Sequence, residues 1–466
     1  MMSNKFNTQS TLSTGNLALA IATNVTTNND QASHGAEFFS GTVIHPQILA
    51  RCFVVLADIT ATRYFQHVPE NLRDPILSAQ GDRLRAEVFS ACNGVYARVD
   101  LLEDGFRGRI GFGTTNVDIG PELRAALIDI KPQDDFKLTI GTEGLTSTHR
   151  ETISESVVSI GERIHERPVK MPDRWVRALG NTAEIHREMS HVMTLKGMAA
   201  KGFLTTLPSA TSVVKEGWLT PTPTGAKLMA RQVANAVFIS GLHRLSALKR
   251  IMMHVNDIKF YMLRDKTPGP LLLEVGLPGA RLTISLTEKS YVGYSGVGAL
   301  LEALSSEKTN ADAELIRQSL SFDAIIDEEE LRKTWGISRA RIENALALLA
   351  VSGKVGYDVA ESAYFHRELP EDEKRILKDN PRLVGAKKLI AADAVETAAD
   401  NKWIVHSKEA SYLVTYNSTV PITDGTCTCT WYLENLNRKG PCKHLLAVKL
   451  KVQSQTTKSL YEVKQS

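Results

Sequence analysis

Residues 427–444 read CTCTWYLENLNRKGPCKH and place Cys427, Cys429, Cys442 and His444 in a C-x-C-x12-C-x-H pattern. Three of the chain's 5 cysteines fall in this stretch. Thiolate and imidazole are the ligands zinc prefers, and four of them complete a tetrahedral shell. A C-x-C on an extended strand presents both sulfurs on one face, because side chains alternate with a period of two. After Pro441, CKHLLAVKLKV carries Leu445, Leu446, Val448 and Leu450 and suits a short helix. Cys442 and His444 then lie at its start, where free N–H groups and the positive dipole end favour a thiolate. A redox pair would need C-x-x-C. A single Zn2+ with four protein ligands has no position open for water or substrate, so this ion is structural.

The segments before the cysteines complete a small module. KWIVHS (402–407) and SYLVTY (411–416) are rich in aromatic and β-branched residues and predict two strands, and Asp424-Gly425 marks a turn. Zinc would pin this β-hairpin to the helix in a unit too small to bury much core alone. From Asn401 onward the chain has nine Lys or Arg against four Asp or Glu, a net of +5. Arg438, Lys439, Lys443, Lys449 and Lys451 gather around the ligands. Such a patch suits phosphate or an acidic protein surface. It equally suits a solvated helix face.

The whole chain bounds what surrounds this module. Its 466 residues and 51.3 kDa suggest about three or four domains. The net charge of +3 excludes a polycation. No stretch approaches the roughly 20 apolar residues that cross a bilayer. LALAIA (17–22) is shorter than a signal h-region, and only Lys5 precedes it as a positive charge. Thiolate ligands favour a reducing cytoplasm. Cys52 and Cys92 sit in apolar runs and read as small core residues.

The expected fold class is multidomain α+β. Residues 1–36 predict a disordered leader, and 37–165 an α+β domain. That domain has a helix from Pro46 to about Phe65, strands at 83–91, 94–102 and 136–141, and a helix at 121–130. Residues 166–306 predict a second α+β domain, with helical periodicity from Arg174 continuing through 184–204. A further helix is expected at 242–255, and strands at 235–240, 258–263, 271–276 and 280–286. Two glycine-rich near-motifs fail as nucleotide sites. Gly197 and Gly202 have P-loop spacing, but Phe203 and Leu204 replace the Lys and Ser/Thr, and GYSGVG (293–298) lacks a full dinucleotide fingerprint. His186 and His191, five apart, do not share a helical face. Asn93-Gly94 and 116–118 read as turn and capping residues.

Residues 307–370 have the pattern of a winged helix. A helix at 328–335 ends at Gly336, and Ser338 caps a second one that runs to Val351 with Ile342, Leu346 and Leu349 as its stripe. KVGYD (354–358) and AYFHR (363–367) then form a hairpin. Arg339 and Arg341 occupy the first turn of the second helix, the part of a recognition helix that meets phosphates or guanine. The acids at 327–330, with Asp358 and Glu361, favour protein docking instead. His366-Arg367-Glu368 reads as an ion-pair network, and 371–466 as the finger region with a basic tail.

The finger's ligand types and spacings resemble the SWIM-type zinc finger. The resemblance extends from Phe38 to Val448 through GVYARVD (94–100), GTTNVDI (113–119), GARLTISL (279–286), SGKVGYD (352–358) and YFHRELP (364–370). On these segments the chain is similar to bacterial SWIM proteins associated with MoxR-type AAA+ ATPases and von Willebrand factor A domain proteins. The resemblance implies zinc ligation by Cys427, Cys429, Cys442 and His444, and a non-catalytic adaptor that meets those two partners through its finger and winged helix. The alternative is a DNA- or RNA-binding protein that uses Arg339, Arg341, Arg438, Lys439 and Lys443. Thr430 stands where relatives commonly have proline, which bears on the local turn alone. Acids and histidines elsewhere form no recognisable catalytic constellation.

Overall fold

The computed structural model describes residues 11–13, 16–18, 37–64, 75–141, 144–150, 152–154, 157–158, 162–167, 173–294, 307–369, 381–407, 410–417, 422–436 and 441–462. Its contacts divide into two compact units. The first holds residues 1–295, 320–326 and 353–371, and the second 296–319, 327–352 and 372–466. The architecture is mixed α/β.

In the first unit, an eight-stranded antiparallel sheet has the order Met189–Lys196, Asp257–Leu263, Leu271–Leu277, Ala280–Leu286, Val95–Leu101, Leu84–Phe89, Ile76–Gln80, Phe112–Asn116. A five-stranded sheet orders Glu162–Glu166, Gly144–Arg150, Asp135–Gly141, Glu37–Val43 and Phe106–Ile110. The helix Pro46–Thr60 has Pro at its start, where its missing N–H is harmless, and is apolar nearly all round. It is accordingly buried, with Cys52 in the core.

Strands Leu84–Phe89 and Val95–Leu101 are buried throughout, which alternating polarity alone would not predict. Register explains it. Arg85 lies opposite Asp100 and Glu87 opposite Arg98, while Asp100 also faces Arg281 on the next strand. The hairpin Val355–Asp358 and Ala363–His366 belongs to the same unit. Its Asp358 accepts from Arg85 at 3.0 Å, Arg98 at 2.9 Å and Arg281 at 2.6 Å. Phe365 lies under the Arg85 guanidinium at 3.8 Å, and Arg367 pairs with Glu87 at 2.9 Å. Lys354 pairs with Glu368 at 2.6 Å and His366 Nε2 lies 3.2 Å from the same carboxylate, so Arg367 and Glu368 are ion-paired and His366 hydrogen-bonds beside them.

Two expected helices differ. The periodicity through 184–204 is interrupted by the strand Met189–Lys196 between helices Asp173–Arg187 and Gly197–Thr205. Pairing with Asp257–Leu263 overrides the modest helix preference of Met, Leu and Lys there. Residues Leu242–Ile251 form a 3-10 helix, entered from Gly241 at φ 91°. His186 is buried beside Tyr96, and His191 is partnered by Thr194.

The helices Glu328–Trp335 and Arg339–Val351 form where expected, with Gly336 at φ 63° ending the first and Asp327 capping its N-terminus. They group with Glu307–Ser319 in the second unit, whereas the hairpin after them groups with the first. A four-stranded antiparallel sheet completes the second unit, in the order Val395–Ala399, Lys402–Ser407, Ala410–Thr415, Thr426–Cys427. Of the expected leader, Thr11–Ser13 pairs with Asn16–Ala18, and the rest of 1–36 lies outside the described residues. So do 295–298 of the glycine-rich run. No helix among the described residues is long and apolar enough to cross a membrane.

Candidate metal centre

The sheet and the helix Pro381–Ala391 build one core with the helix Lys443–Glu462. Leu383, Val395, Val405, Val414, Leu445 and Leu446 pack together with Cys427, Cys429 and Cys442. Cys427 ends the short strand that pairs with Val414. Cys429 lies two residues on, at the N-cap of a helix, Thr430–Asn435, that the strand-like reading of C-x-C does not contain. Cys442 and His444 open the terminal helix, which at 20 residues is longer than the short helix expected.

These four residues converge. Their ligand atoms all lie within 4.8 Å of one another, and all four side chains are buried. Neighbouring ligand atoms of a tetrahedral zinc shell, with bonds of about 2.0–2.3 Å, stand roughly 3.5–3.8 Å apart. Cys427 Sγ and His444 Nδ1 are 3.8 Å apart. The three thiols make no disulfide, and His444 Nε2 is buried without a hydrogen-bond partner. Three buried thiols without a disulfide, beside an imidazole nitrogen at zinc-shell spacing, leave donor capacity that a metal ion satisfies. Tyr412 stacks on the His444 ring at 4.2 Å and 22°, which fixes its plane.

The electrostatics agree. A hydrogen bond from Cys427 holds the Cys442 thiol down at about 4 against burial, helped by His444 and by the Leu445 N–H, which donates to Cys442 Sγ at 3.4 Å. Cys427 is driven the other way by the same hydrogen bond and then by burial. These contacts favour charge on Cys442 over Cys427, and a bound cation would stabilise thiolates on all three cysteines. The cluster fits one structural Zn2+, held by Cys427, Cys429, Cys442 and His444. When bound, the ion supplies cross-linking of strand to helix. It is the one such His, Cys, Asp and Glu cluster among the described residues.

The other expected site residues are placed as follows. Arg339 is 79% exposed in its side chain and pairs with Glu343 at 2.9 Å, while Arg341 binds Asp312 through two hydrogen bonds of 2.8 and 2.5 Å. Lys443 donates to Ser407 Oγ at 3.0 Å, and Lys451 pairs with Asp393 at 2.6 Å. Lys449 is buried. Arg438 and Lys439 lie outside the described residues. A feature the sequence reading passed over is the exposure of Trp431, Leu433 and Leu436, at 36%, 64% and 58%. Their signal was present: apolar side chains crowding a linker between ligands. Arg382 sits over the Trp431 ring at 4.5 Å.

Comparison with known proteins agrees on this module. The SWIM zinc finger family model matches residues 412–453. No curated protein matches the chain. Among solved structures, the chain is similar to proliferating cellular nuclear antigen from Entamoeba histolytica, at 11% identity and a TM-score of 0.37, over 54% of this chain and 99% of that one. It is also similar to the PCNA2–PCNA3 complex from Sulfolobus tokodaii, at 8% identity and a TM-score of 0.37, over 53% of this chain and 98% of that one.

Proposed function

We propose that this chain is a non-catalytic recognition protein whose zinc-stabilised finger docks a protein partner. The observation that carries the reading is the linker between the second and third ligands. A metal shell closed by four protein side chains has no catalytic position. The same shell would hold both ends of a segment that turns Trp431, Leu433 and Leu436 outward. Leu413, 44% exposed, is bonded through its backbone to Thr428 at the foot of that segment. Clustered large apolar side chains on a surface mark an interaction site, and aromatic anchors dominate such interfaces. The resemblance to SWIM proteins of MoxR AAA+ and von Willebrand factor A systems supplies the partner class, and the winged-helix reading of 307–370 a second docking element. Thiolate ligands favour a reducing cytoplasm as its location. Copurification from the native host tests it. Wild-type chain should recover an AAA+ ATPase or a von Willebrand A protein, and Leu433→Ser with Leu436→Ser should lose it. Recovery of neither by folded wild-type protein removes the reading.

A nucleic-acid role for Arg339, Arg341, Arg438, Lys439 and Lys443 is supported by the net +5 of the tail and the exposure of Arg339. The carboxylates on Arg339 and Arg341 weaken it, because each would have to be displaced by phosphate. A gel shift at low salt decides it, since phosphate contacts are strongest there.

A further inference from the structure

The first unit holds a cavity of about 1,010 Å3 between the second half of helix Pro46–Thr60 and the segment 246–254. Among the described residues its lining includes the cations Arg51, Arg124, Lys249 and Arg250 against the single acid Asp58, a net of +3. Asp58 is fully engaged. Its Oδ1 accepts from Arg124 at 2.7 Å and its Oδ2 from Arg250 at 2.5 Å. Arg51 and Lys249 have no hydrogen-bond or ion-pair partner among the described residues. Burial lowers the pKa of His254 on the cavity wall, and the nearby Arg51 and Lys201 lower it further. Among the described lining residues the cations therefore outnumber the one carboxylate, and the wall carries net positive charge.

We propose that this cavity binds a phosphorylated small molecule of nucleotide size, with its phosphates on Arg51 and Lys249 and its organic part against Met252 and Met253. Cations gathered in a concave, low-dielectric wall focus field and concentrate anions. A guanidinium matches phosphate in two parallel hydrogen bonds, and an ammonium serves as a point charge. Arg124 and Arg250 are pinned by Asp58, so they enlarge the positive field and leave the two unpaired cations as the direct contacts. Ala57, Ala61 and the two methionines give an apolar wall for the remainder of the ligand. The volume is at the upper end of the roughly 300–1,000 Å3 of small-molecule sites. A nucleic-acid duplex, with one charge per about 1.7 Å of axis, would call for a long stripe of cations rather than one concavity.

Calorimetric titration of the full chain tests this, with ATP and inorganic triphosphate as probes and a single-stranded 20-mer as competitor. ATP should bind more tightly than triphosphate, and Arg51→Gln or Lys249→Gln should each weaken it about tenfold, the loss of one charged hydrogen bond. Neither side chain is in the core, so both variants should melt with the wild type. No ATP binding overturns the proposal. So does ATP binding that both variants retain, or an oligonucleotide that displaces ATP at lower concentration than triphosphate does.

Discussion

Arg85 and Asp100 face each other on neighbouring strands, and the Arg85 Nε donates to Asp100 Oδ1 at 2.6 Å with both side chains fully buried. The pair is the centre of a larger buried set, in which Asp358 from the hairpin completes the neutralisation of Arg85, Arg98 and Arg281. Burying ions costs free energy that only tight mutual pairing offsets, so each member depends on the others.

Asp358→Ala should therefore destabilise the first unit by about 3–5 kcal/mol, the range for leaving buried partners uncompensated. Urea unfolding followed by fluorescence measures it. A loss under about 1 kcal/mol would mean that water reaches these arginines.

Acid should unfold this unit early. Burial alone would raise the Asp358 carboxyl, but Arg98, Arg281 and Arg85 bring it down to about 2, and Asp100 is held lower still by Arg85, Arg98 and Arg281. A carboxyl that titrates lower in the fold than in the open chain stabilises above the open-chain value near 3.9 and loses that contribution as pH falls towards 2. For Asp358 this amounts to roughly 2–3 kcal/mol at 1.36 kcal/mol per pH unit. His186 adds to the trend: burial, then Arg98, takes it down to about 3, so the unfolded chain gains a proton below about 6.5 that the fold refuses. The urea midpoint should fall from pH 7 to pH 3, and a flat profile would contradict the network.

Arg341→Ala should cost about 1–3 kcal/mol, because Asp312, 3% exposed in its side chain, loses its cation. Arg339→Ala should leave the melting temperature unchanged, its partner Glu343 being partly solvated. Equal, negligible effects would free both arginines for a nucleic-acid role.

Leu433→Ser should leave thermal stability unchanged, since 64% of the residue is already in solvent. A large drop in melting temperature would show instead that Leu433 is packed, and would take away the docking surface.

The four ligands were legible because their spacing is a local property, and so were most strands, whose β-branched runs need no partner to be recognised. The helix Thr430–Asn435 was not, as Cys429 was read as strand continuation. Met189–Lys196 was misread because cross-strand pairing, absent from any local window, decides it. The arginine network was half-visible. Arg85, Glu87, Arg98 and Asp100 alternate on two adjacent strand segments with opposite charges at matching register, but Asp358 comes from more than two hundred and fifty residues later. The cavity left no signal, its cations being scattered from Arg51 to Arg250.

Zinc content is the decisive quantity. Full-length chain purified without added metal should carry one zinc per chain by plasma mass spectrometry, and Cys442→Ser or His444→Ala should carry far less. Chelation should melt the module 381–452, because the free energy of binding a structural zinc, about 10–16 kcal/mol in finger peptides, is largely folding free energy. A folded wild-type chain without zinc, whose finger region is unchanged by chelator, would contradict it.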